Sequence, residues 1–359
     1  MIDFSHENIE RFLRQVFGDT VRLERVGRIG SLDEQGMKDF GYGKPLLVTF
    51  ERGGRTEQAV ISTMKGDTYG HQNWWDRARI LMCQYDTGSR MERHVRPLAL
   101  GYVDKSGRAH AVNEPQEFFV VSEKLEGHDY FLDLERIRGG DVRPDDEKLV
   151  RGFASWLARV HANKLDEPDR YIRRIRNTVG DCECIFGIID GYPDSYDEFP
   201  PERFEALEKR LIDWRWKLKS YTHRLSAVHG DFHPWNVLVR EGADFSVLDR
   251  SRGEWGEPGD DVSTMALNLM LFGIYDAPRL TGPFERLYMA FWEQYLADTN
   301  DTEMLEVLGP FFVFRGLVIA SPQWYPNHPL PVRRGLFRFL ENVLEDQTFD
   351  WKNINKYME

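Results

Sequence analysis

The apolar positions of the first third of the chain switch between helical and extended spacing. Residues 5–17 and 73–85 repeat apolar side chains at helical intervals, whereas 46–51 and 57–63 are apolar runs containing β-branched residues. A glycine-containing turn at 52–55 separates the two runs and predicts a hairpin. We therefore expect a small sheet with one inserted helix in this part of the chain.

Two more strands are expected after this hairpin, and beyond them the pattern becomes mostly helical. The strand candidates are 98–103 and 117–121. Residues 176–200 are rich in glycine, proline and acidic residues and predict an irregular segment. Helical spacing recurs over 144–160, 201–219, 261–271, 283–296 and 332–344. This change of pattern indicates two lobes with a boundary near 122–128.

Composition restricts the classes of partner. The 359 residues exceed the size at which a single core keeps growing, which also favours two lobes. The formal net charge is −12 and no Lys/Arg-rich run is present, so no nucleic-acid partner is expected. The three cysteines, Cys83, Cys182 and Cys184, predict reduced thiols. Early acidic residues and the lack of an apolar run of about 20 residues predict a cytoplasmic protein without a membrane partner.

One polar loop between two apolar runs carries the candidate chemistry. It contains Asp231 and, five positions later, Asn236, and the second run ends in Asp249. In kinase-type sites one Asp accepts the proton of the attacking hydroxyl, an Asn of the same loop binds a metal ion, and a second Asp bridges Mg²⁺ to the nucleotide phosphates. These three residues have the types and the order that phosphoryl transfer requires.

The same loop has a competing interpretation as a metal-dependent hydrolase site. His229, Asp231 and His233 alternate, and alternate side chains of an extended strand share one face, where they could bind one metal ion. However, Pro234 interrupts a strand, and no other His-rich segment supplies further ligands. Phosphoryl transfer is therefore the leading hypothesis. The third interpretation is a structural loop whose polar side chains only form hydrogen bonds with backbone groups.

Phosphoryl transfer also requires groups that neutralise the nucleotide phosphates. Lys65 follows the second hairpin strand, and Asp76 lies on the next predicted helix, where it could hold the lysine. The alternatives are a solvated charge for Lys65 and an ordinary acid near a helix N-terminus for Asp76. Gly41 and Gly43 precede the first hairpin strand and could bring backbone N–H groups close to the phosphates.

The segments 229–238, 247–249 and 256–262 together resemble the signature of the aminoglycoside phosphotransferase and choline kinase-like family of small-molecule kinases. The resemblance implies an α+β, protein-kinase-like two-lobed fold, with a small antiparallel-sheet N-terminal lobe and a larger, mostly helical C-terminal lobe. The bounds it implies are a nucleotide-binding lobe at 1–121, a hinge at 122–128, and a lobe at 129–359 that carries the catalytic loop and the acceptor site.

The resemblance also implies roles for individual residues of the C-terminal lobe. Asp231 would be the catalytic base or would orient the hydroxyl. Asn236 and Asp249 would bind Mg²⁺. His229 would shape the catalytic loop, and Asp261 would brace it.

Residues 119–127 resemble the family's adenine-binding hinge, which implicates the Glu123 carbonyl and the Leu125 amide. ATP is the expected phosphoryl donor, with GTP as an open alternative. The sequence departs from the family pattern in three places: Arg250-Ser251-Arg252 follows the metal-binding Asp, Glu257 replaces the frequent Asp of Gly-Asp-Pro, and a longer insertion, residues 30–40, precedes the glycine turn.

The expected acceptor is a small hydroxyl-bearing molecule, because the Asp-Phe-Gly and Ala-Pro-Glu segments of protein kinases are absent from the sequence. A cationic acceptor such as an aminoglycoside or an amino alcohol is one option. Acidic residues between 181 and 198, or several tryptophans, could then supply its site. The alternative function is a kinase-fold protein that binds nucleotide without transferring phosphate.

Overall fold

The computed structural model describes residues 5–28, 45–68 and 70–359. The chain divides into two compact units, Met1–Ser122 and Glu123–Glu359. The described elements of the first unit are α1 His6–Phe17, β1 Arg22–Arg28, β2 Leu46–Arg52, β3 Arg55–Ile61, α2 Trp74–Gly88, β4 Leu100–Val103 and β5 Ala109–Val112.

The first unit contains an antiparallel sheet of order β1-β2-β3 and a separate hairpin of β4 and β5. The predicted β2–β3 hairpin forms because Gly53 and Gly54 adopt the positive φ angles, 57° and 75°, that its tight turn requires. Val48 and Phe50 of β2 are buried in a small core that includes Ile9 of α1. The expected small sheet is thus present.

The strand expected at 117–121 is wrong. Residues 115–126 form neither helix nor strand. The apolar side chains of Phe119, Val120 and Val121 are more than 80% exposed. These residues have strand-like composition, but β propensity alone does not form a strand without a partner to complete the hydrogen-bonded ladder.

The second unit is mostly helical and has a large apolar core. Its strands are short: β6 His128–Asp129, β7 Ser226–Ala227, β8 Val237–Arg240, β9 Asp244–Val247 and β10 Trp255–Gly256. Its α-helices are α3 Tyr130–Arg138, α4 Pro144–His161, α5 Pro168–Gly180, α6 Ile185–Asp190, α7 Pro201–Leu218, α8 Pro258–Ile274, α9 Gly282–Thr299, α10 Gly309–Ala320 and α11 Leu330–Val343. This composition confirms the predicted α+β class with a mostly helical second part.

Two short sheets hold the polar loops of the second unit. β7 pairs with β10, while β8 pairs with both β6 and β9, all antiparallel. The loop at 228–236 therefore runs from one sheet to the other, and the loop at 248–254 runs back. Because both loops are anchored at both ends, their polar side chains are confined to one region.

The helices predicted from apolar spacing are present. The segment at 176–200, which was expected to be irregular, is partly helical. The end of α5 and all of α6 lie within it. Helices α3, α5 and α10 were not expected; every residue of α10 is buried, and a helix that is apolar on all sides has no helical period to detect. No helix of the described residues has the length and apolar character needed to cross a bilayer.

Candidate functional site

Asp261, in the first turn of α8, holds the backbone of the predicted catalytic loop. Its Oδ2 accepts the N–H of His229 and its Oδ1 accepts the N–H of Gly230, both at 2.7 Å. Burial raises the pKa of Asp261, but hydrogen bonds and the His161 ring outweigh it, so that the pKa lies below the ordinary value. Gly230 has a φ of 87°, which disfavours residues with a side chain at this position. Asp261 therefore holds two adjacent N–H groups of the loop, and the loop-supporting roles of Asp261 and His229 stay predictions.

A buried polar chain extends this bracing into the helical core. His161 Nε2 lies 3.1 Å from Asp261 Oδ2, and His161 Nδ1 lies 2.8 Å from the hydroxyl of Tyr295. The ring thereby connects α4, α8 and α9. Such a fully hydrogen-bonded buried histidine fixes the orientation of the Asp261 carboxylate.

Asp231 lies in this loop between two guanidinium groups. Arg315 of α10 pairs with its Oδ1, and Arg252 Nε lies 3.3 Å from its Oδ2. His233 Nε2 is 3.7 Å from Oδ2. Burial raises the pKa of Asp231, but Arg315 and Arg252 outweigh this effect and hold the pKa at about 2. An Asp that is so firmly ionised can accept a hydrogen bond from a hydroxyl group but is a weak base.

Asn236 and Asp249 lie at the adjoining ends of β8 and β9. The backbone oxygen of Asn236 accepts the N–H of Leu248 at 2.9 Å, which brings the two positions side by side. Asn236 Nδ2 donates to the backbone oxygen of Asp231 at 3.1 Å. The side-chain oxygen of Asn236 therefore lies on the opposite side of its amide group. Asp249 is exposed. One amide oxygen and one carboxylate fit Mg²⁺, which keeps several waters and commonly takes its other ligands from a phosphate.

The geometry does not favour the metal-hydrolase hypothesis. The Nδ1 atoms of His229 and His233 each accept a local backbone N–H, from Asp231 at 3.3 Å and from Trp235 at 3.2 Å. Among the described ranges, no group of three or more His, Cys, Asp or Glu side chains is arranged to hold a metal ion. Both Nδ1 atoms are therefore occupied by contacts within the loop itself.

The residues expected to bind nucleotide lie elsewhere in the chain. Lys65 is exposed in the segment after β3. Asp76 accepts the backbone N–H of Asn73 at 2.8 Å and forms a capping box at the start of α2. This contact agrees with the alternative considered for Asp76, an acid near a helix N-terminus. Gly41 and Gly43 lie outside the described residues.

The expected hinge residues lie on an extended, non-regular stretch at the start of the second unit. Glu123 is exposed and Leu125 is half-buried. Gly127, which follows them, has a φ of 142°, and a Cβ there would lie 3.0 Å from the backbone oxygen of Val239. The backbone therefore approaches β8 closely at the end of this stretch. A role in adenine binding stays a prediction.

Glu257 explains one departure from the family pattern. It begins α8 as its N-cap, is fully buried, and pairs with Arg224, whose Nη2 lies 2.7 Å from Oε1. Tyr171 donates its hydroxyl to Oε2 at 2.8 Å. The longer Glu side chain reaches these partners, so this position supports the fold beneath the site.

Sequence reasoning missed Arg315 as a member of the site. It is the single charged residue of α10, whose other residues are apolar. A lone arginine in an apolar stretch is a usable signal, because a guanidinium is rarely buried without an anionic partner. Arg252 was noticed only as a departure from the family pattern. The structure places it against Asp231.

A cavity of about 270 Å³ lies beside the loop. Trp235, one residue before Asn236, forms part of its wall, together with Tyr325 and other aromatic side chains. Burial raises the pKa of Tyr325, and Arg315 and Asp231 also act on it electrostatically. The cavity therefore adjoins the loop through Trp235.

Comparison with known proteins yields one family match. The model of the phosphotransferase enzyme family matches residues 108–303, more than half of the chain, and agrees with the resemblance noted in the sequence. No curated protein matches.

Several solved structures are similar. A glucosamine kinase is 18% identical over 65% of this chain and 57% of its own, with a TM-score of 0.34. The Plasmodium vivax ethanolamine kinase Pv091845 is 15% identical over 94% of this chain and 80% of its own, with a TM-score of 0.37. A macrolide 2'-phosphotransferase type I is 14% identical over 89% of this chain and 92% of its own, with a TM-score of 0.34. The chain thus spans little more than half the length of the glucosamine kinase that it matches.

Proposed function

Because the chain belongs to the phosphotransferase enzyme family, we propose that it transfers the γ-phosphate of ATP to a hydroxyl group of a small molecule. The observation that carries the proposal is the loop braced by Asp261, in which Asp231 stays ionised and adjoins Asn236. Phosphoryl transfer relies mainly on positioning and on neutralising charge, so a rigid loop with an oriented carboxylate suits the reaction.

Asp231 acts by orienting the acceptor. Its carboxylate accepts a hydrogen bond from the hydroxyl group, whose oxygen forms a bond to the γ-phosphorus as the bond to the leaving ADP oxygen breaks. The hydroxyl proton then passes through Asp231 to solvent. The low pKa of Asp231 favours late proton transfer, after most of the new bond has formed.

Asn236 and Asp249 are the proposed Mg²⁺ ligands of this chain. The ion would neutralise the phosphate oxygens and the leaving group. In the first unit, Lys65 is proposed as a further phosphate ligand, with Gly41 and Gly43 as the glycine turn. We also propose Asp76 as the acidic partner of Lys65.

Glu123 and Leu125 are proposed to bind the adenine through their backbone. The acceptor is proposed to bind on the second unit, in or near the cavity beside Trp235. This cavity has aromatic walls, and its Trp235 belongs to the same loop as Asp231, which would hold the reacting hydroxyl.

An ADP-release assay with a panel of aminoglycosides, amino alcohols, sugars and hydroxy acids tests the proposal. The wild-type protein should release ADP with at least one acceptor, and Asp231→Asn should lower that rate by about a thousandfold or more while calorimetry still detects Mg²⁺–ATP binding. Nucleotide binding without turnover of any acceptor would instead favour the non-transferring nucleotide-binding protein. Absence of nucleotide binding would refute both kinase hypotheses.

A further inference from the structure

Arg315 is buried at the one place in α10 where an anion is available. Its side chain is about 5% exposed, and it pairs with Asp231 across 84 positions of sequence. A buried guanidinium needs an anionic partner to offset the loss of hydration. The pair therefore accounts for the presence of a cation in an otherwise apolar helix.

The pair does not use all of the donors of Arg315. A guanidinium carries five N–H groups, and one Arg315 nitrogen donates to Asp231. The Nε atom is buried and has no hydrogen-bond partner among the described residues. Buried donors without a partner are rare, and this one, beside the Asp231 carboxylate, is available to donate to an oxygen ligand.

Two cationic side chains contact Asp231 directly, while the carboxylate of Asp261 is occupied by the backbone N–H groups of His229 and Gly230. Asp231 is shared by Arg315 and Arg252, so that two guanidiniums meet one carboxylate. The nearby Arg174 pairs with Asp260, and its Nη2 lies 2.8 Å from Asp260 Oδ2. Burial and the nearby Arg315 together lower the pKa of His233 to about 4, although Asp231 opposes them.

This charge distribution disfavours a cationic acceptor. An ammonium group near the reacting hydroxyl would meet Arg315 and Arg252, whereas a carboxylate or phosphate would supply the missing oxygen. Arginine binds both anions through parallel N–H···O hydrogen bonds.

We propose that Arg315 binds an oxyanion next to the phosphorylated hydroxyl, and that the acceptor itself supplies it as a carboxylate or phosphate group. The inference rests on the proposed function and narrows its acceptor to anionic hydroxy compounds. The same ligand chemistry has a second source, the phosphoryl group in transit, and kinetics distinguishes the two.

The test uses acceptors that share a carbon skeleton and differ in charge. Glycerate and glycerol 3-phosphate are anionic, glycerol is neutral and 2-amino-1,3-propanediol is cationic; 4-hydroxybutyrate, 1,4-butanediol and 4-amino-1-butanol form a second series. ADP release is measured for the wild-type protein, for Arg315→Met and Arg315→Lys, and for Arg334→Met. Arg334 is exposed on α11 and pairs with Glu198, so it is a matched control.

If the acceptor supplies the oxyanion, the anionic members should have the highest kcat/KM. Arg315→Met should raise their KM at least tenfold relative to the KM of neutral members, while kcat should fall with every acceptor because Asp231 loses its buried partner. Arg315→Lys, which keeps the charge, should have a smaller effect in the same direction. Arg334→Met should behave as the wild type.

Other outcomes overturn the inference. A cationic member with the highest kcat/KM would do so, as would an unchanged KM for anionic members in both variants. A rise in the KM of Mg²⁺–ATP, with acceptor KM values unchanged, would assign the oxyanion to the phosphoryl group instead. All of these results leave the proposed function intact, because ADP release would still depend on an acceptor. Failure of every acceptor to release ADP would refute the proposed function itself.

Discussion

Asp261 Oδ1 accepts the backbone N–H of Gly230 at 2.7 Å, which fixes the catalytic loop to the helix that follows it in sequence. The second oxygen of the same carboxylate takes the neighbouring N–H of His229. Two adjacent backbone donors thus depend on one buried side chain. The geometry of the loop consequently depends on a side chain in the first turn of α8.

We predict that Asp261→Asn impairs both stability and transfer. The amide has one acceptor oxygen, so one of the two N–H groups loses its partner and faces an NH₂ group, at about 1–3 kcal/mol in the free energy of unfolding. The loop would shift, and transfer should fall at least tenfold. Urea denaturation and ADP release measure the two effects. Asp145→Asn, an exposed first-turn acid of α4, should change stability by less than about 0.5 kcal/mol.

A second prediction concerns the buried pair of Arg224 and Glu257. Arg224→Met leaves the Glu257 charge buried without its main partner and should lower the free energy of unfolding by about 3–5 kcal/mol. Glu257→Gln should lower it less, since Arg224 also pairs with Asp301 at 2.8 Å.

Chemical denaturation of both variants checks this order. Arg203→Met breaks the more exposed pair with Glu341 and should lose about 1 kcal/mol or less. A smaller loss for Arg224→Met than for Glu257→Gln would contradict the proposed asymmetry.

The parts of the fold that sequence could predict are those with a clear period. The β2–β3 hairpin and amphipathic helices such as α4 and α11 alternate buried and exposed positions, and they formed where expected. Helix α10 is buried on all sides and has no period, so Arg315 could not be placed opposite Asp231. Composition also gave a wrong strand prediction at 117–121, because the strand-like residues there pair with no other strand.

In the candidate site, only the residues that are close in sequence could be predicted to lie together. The loop residues Asp231, Asn236 and Asp249 are close in sequence and are joined by a hairpin, so their proximity follows from local pairing. The contacts of Arg315 and Arg224 span long separations. Only the packing of helices decides which distant guanidinium reaches which carboxylate.

A third prediction concerns the pH dependence of stability. Burial lowers the pKa values of His233 and His328 to about 4 in the folded protein, against about 6.5 when unfolded. Between these pH values the unfolded chain binds more protons, so stability should fall as the pH falls from 6.5 to 4. Each histidine contributes a slope of up to about 1.4 kcal/mol per pH unit.

Asp231 acts in a different window. Its pKa is about 2 when folded, so its stabilising contribution is complete above pH 4 and is lost between about 4 and 2. Thermal unfolding at successive pH values separates the two windows. His328→Gln should reduce the slope between pH 6.5 and 4, while His94→Gln, at an exposed position, should leave it unchanged. Equal slopes in all three proteins would refute the assignment to buried histidines.

The last prediction separates metal binding from backbone strain at Asp249. This residue has a φ of 55°, a left-handed conformation that Asp and Asn adopt more readily than other residues with side chains. Asp249→Asn should therefore keep the stability of the wild type but lose a charged Mg²⁺ ligand, so that the Mg²⁺ concentration for half-maximal transfer rises at least tenfold.

Asp249→Val provides the matched control, since a β-branched residue is strained at a positive φ and should lower the free energy of unfolding by about 1–3 kcal/mol. Activity is measured against Mg²⁺ concentration, and stability by thermal unfolding, for both variants. A wild-type Mg²⁺ requirement in Asp249→Asn would remove Asp249 from the metal site. Asn tolerates the positive φ at this position, whereas Val does not. A stability loss in Asp249→Asn equal to that of Asp249→Val would therefore come from the lost carboxylate and would show that this group supports the turn.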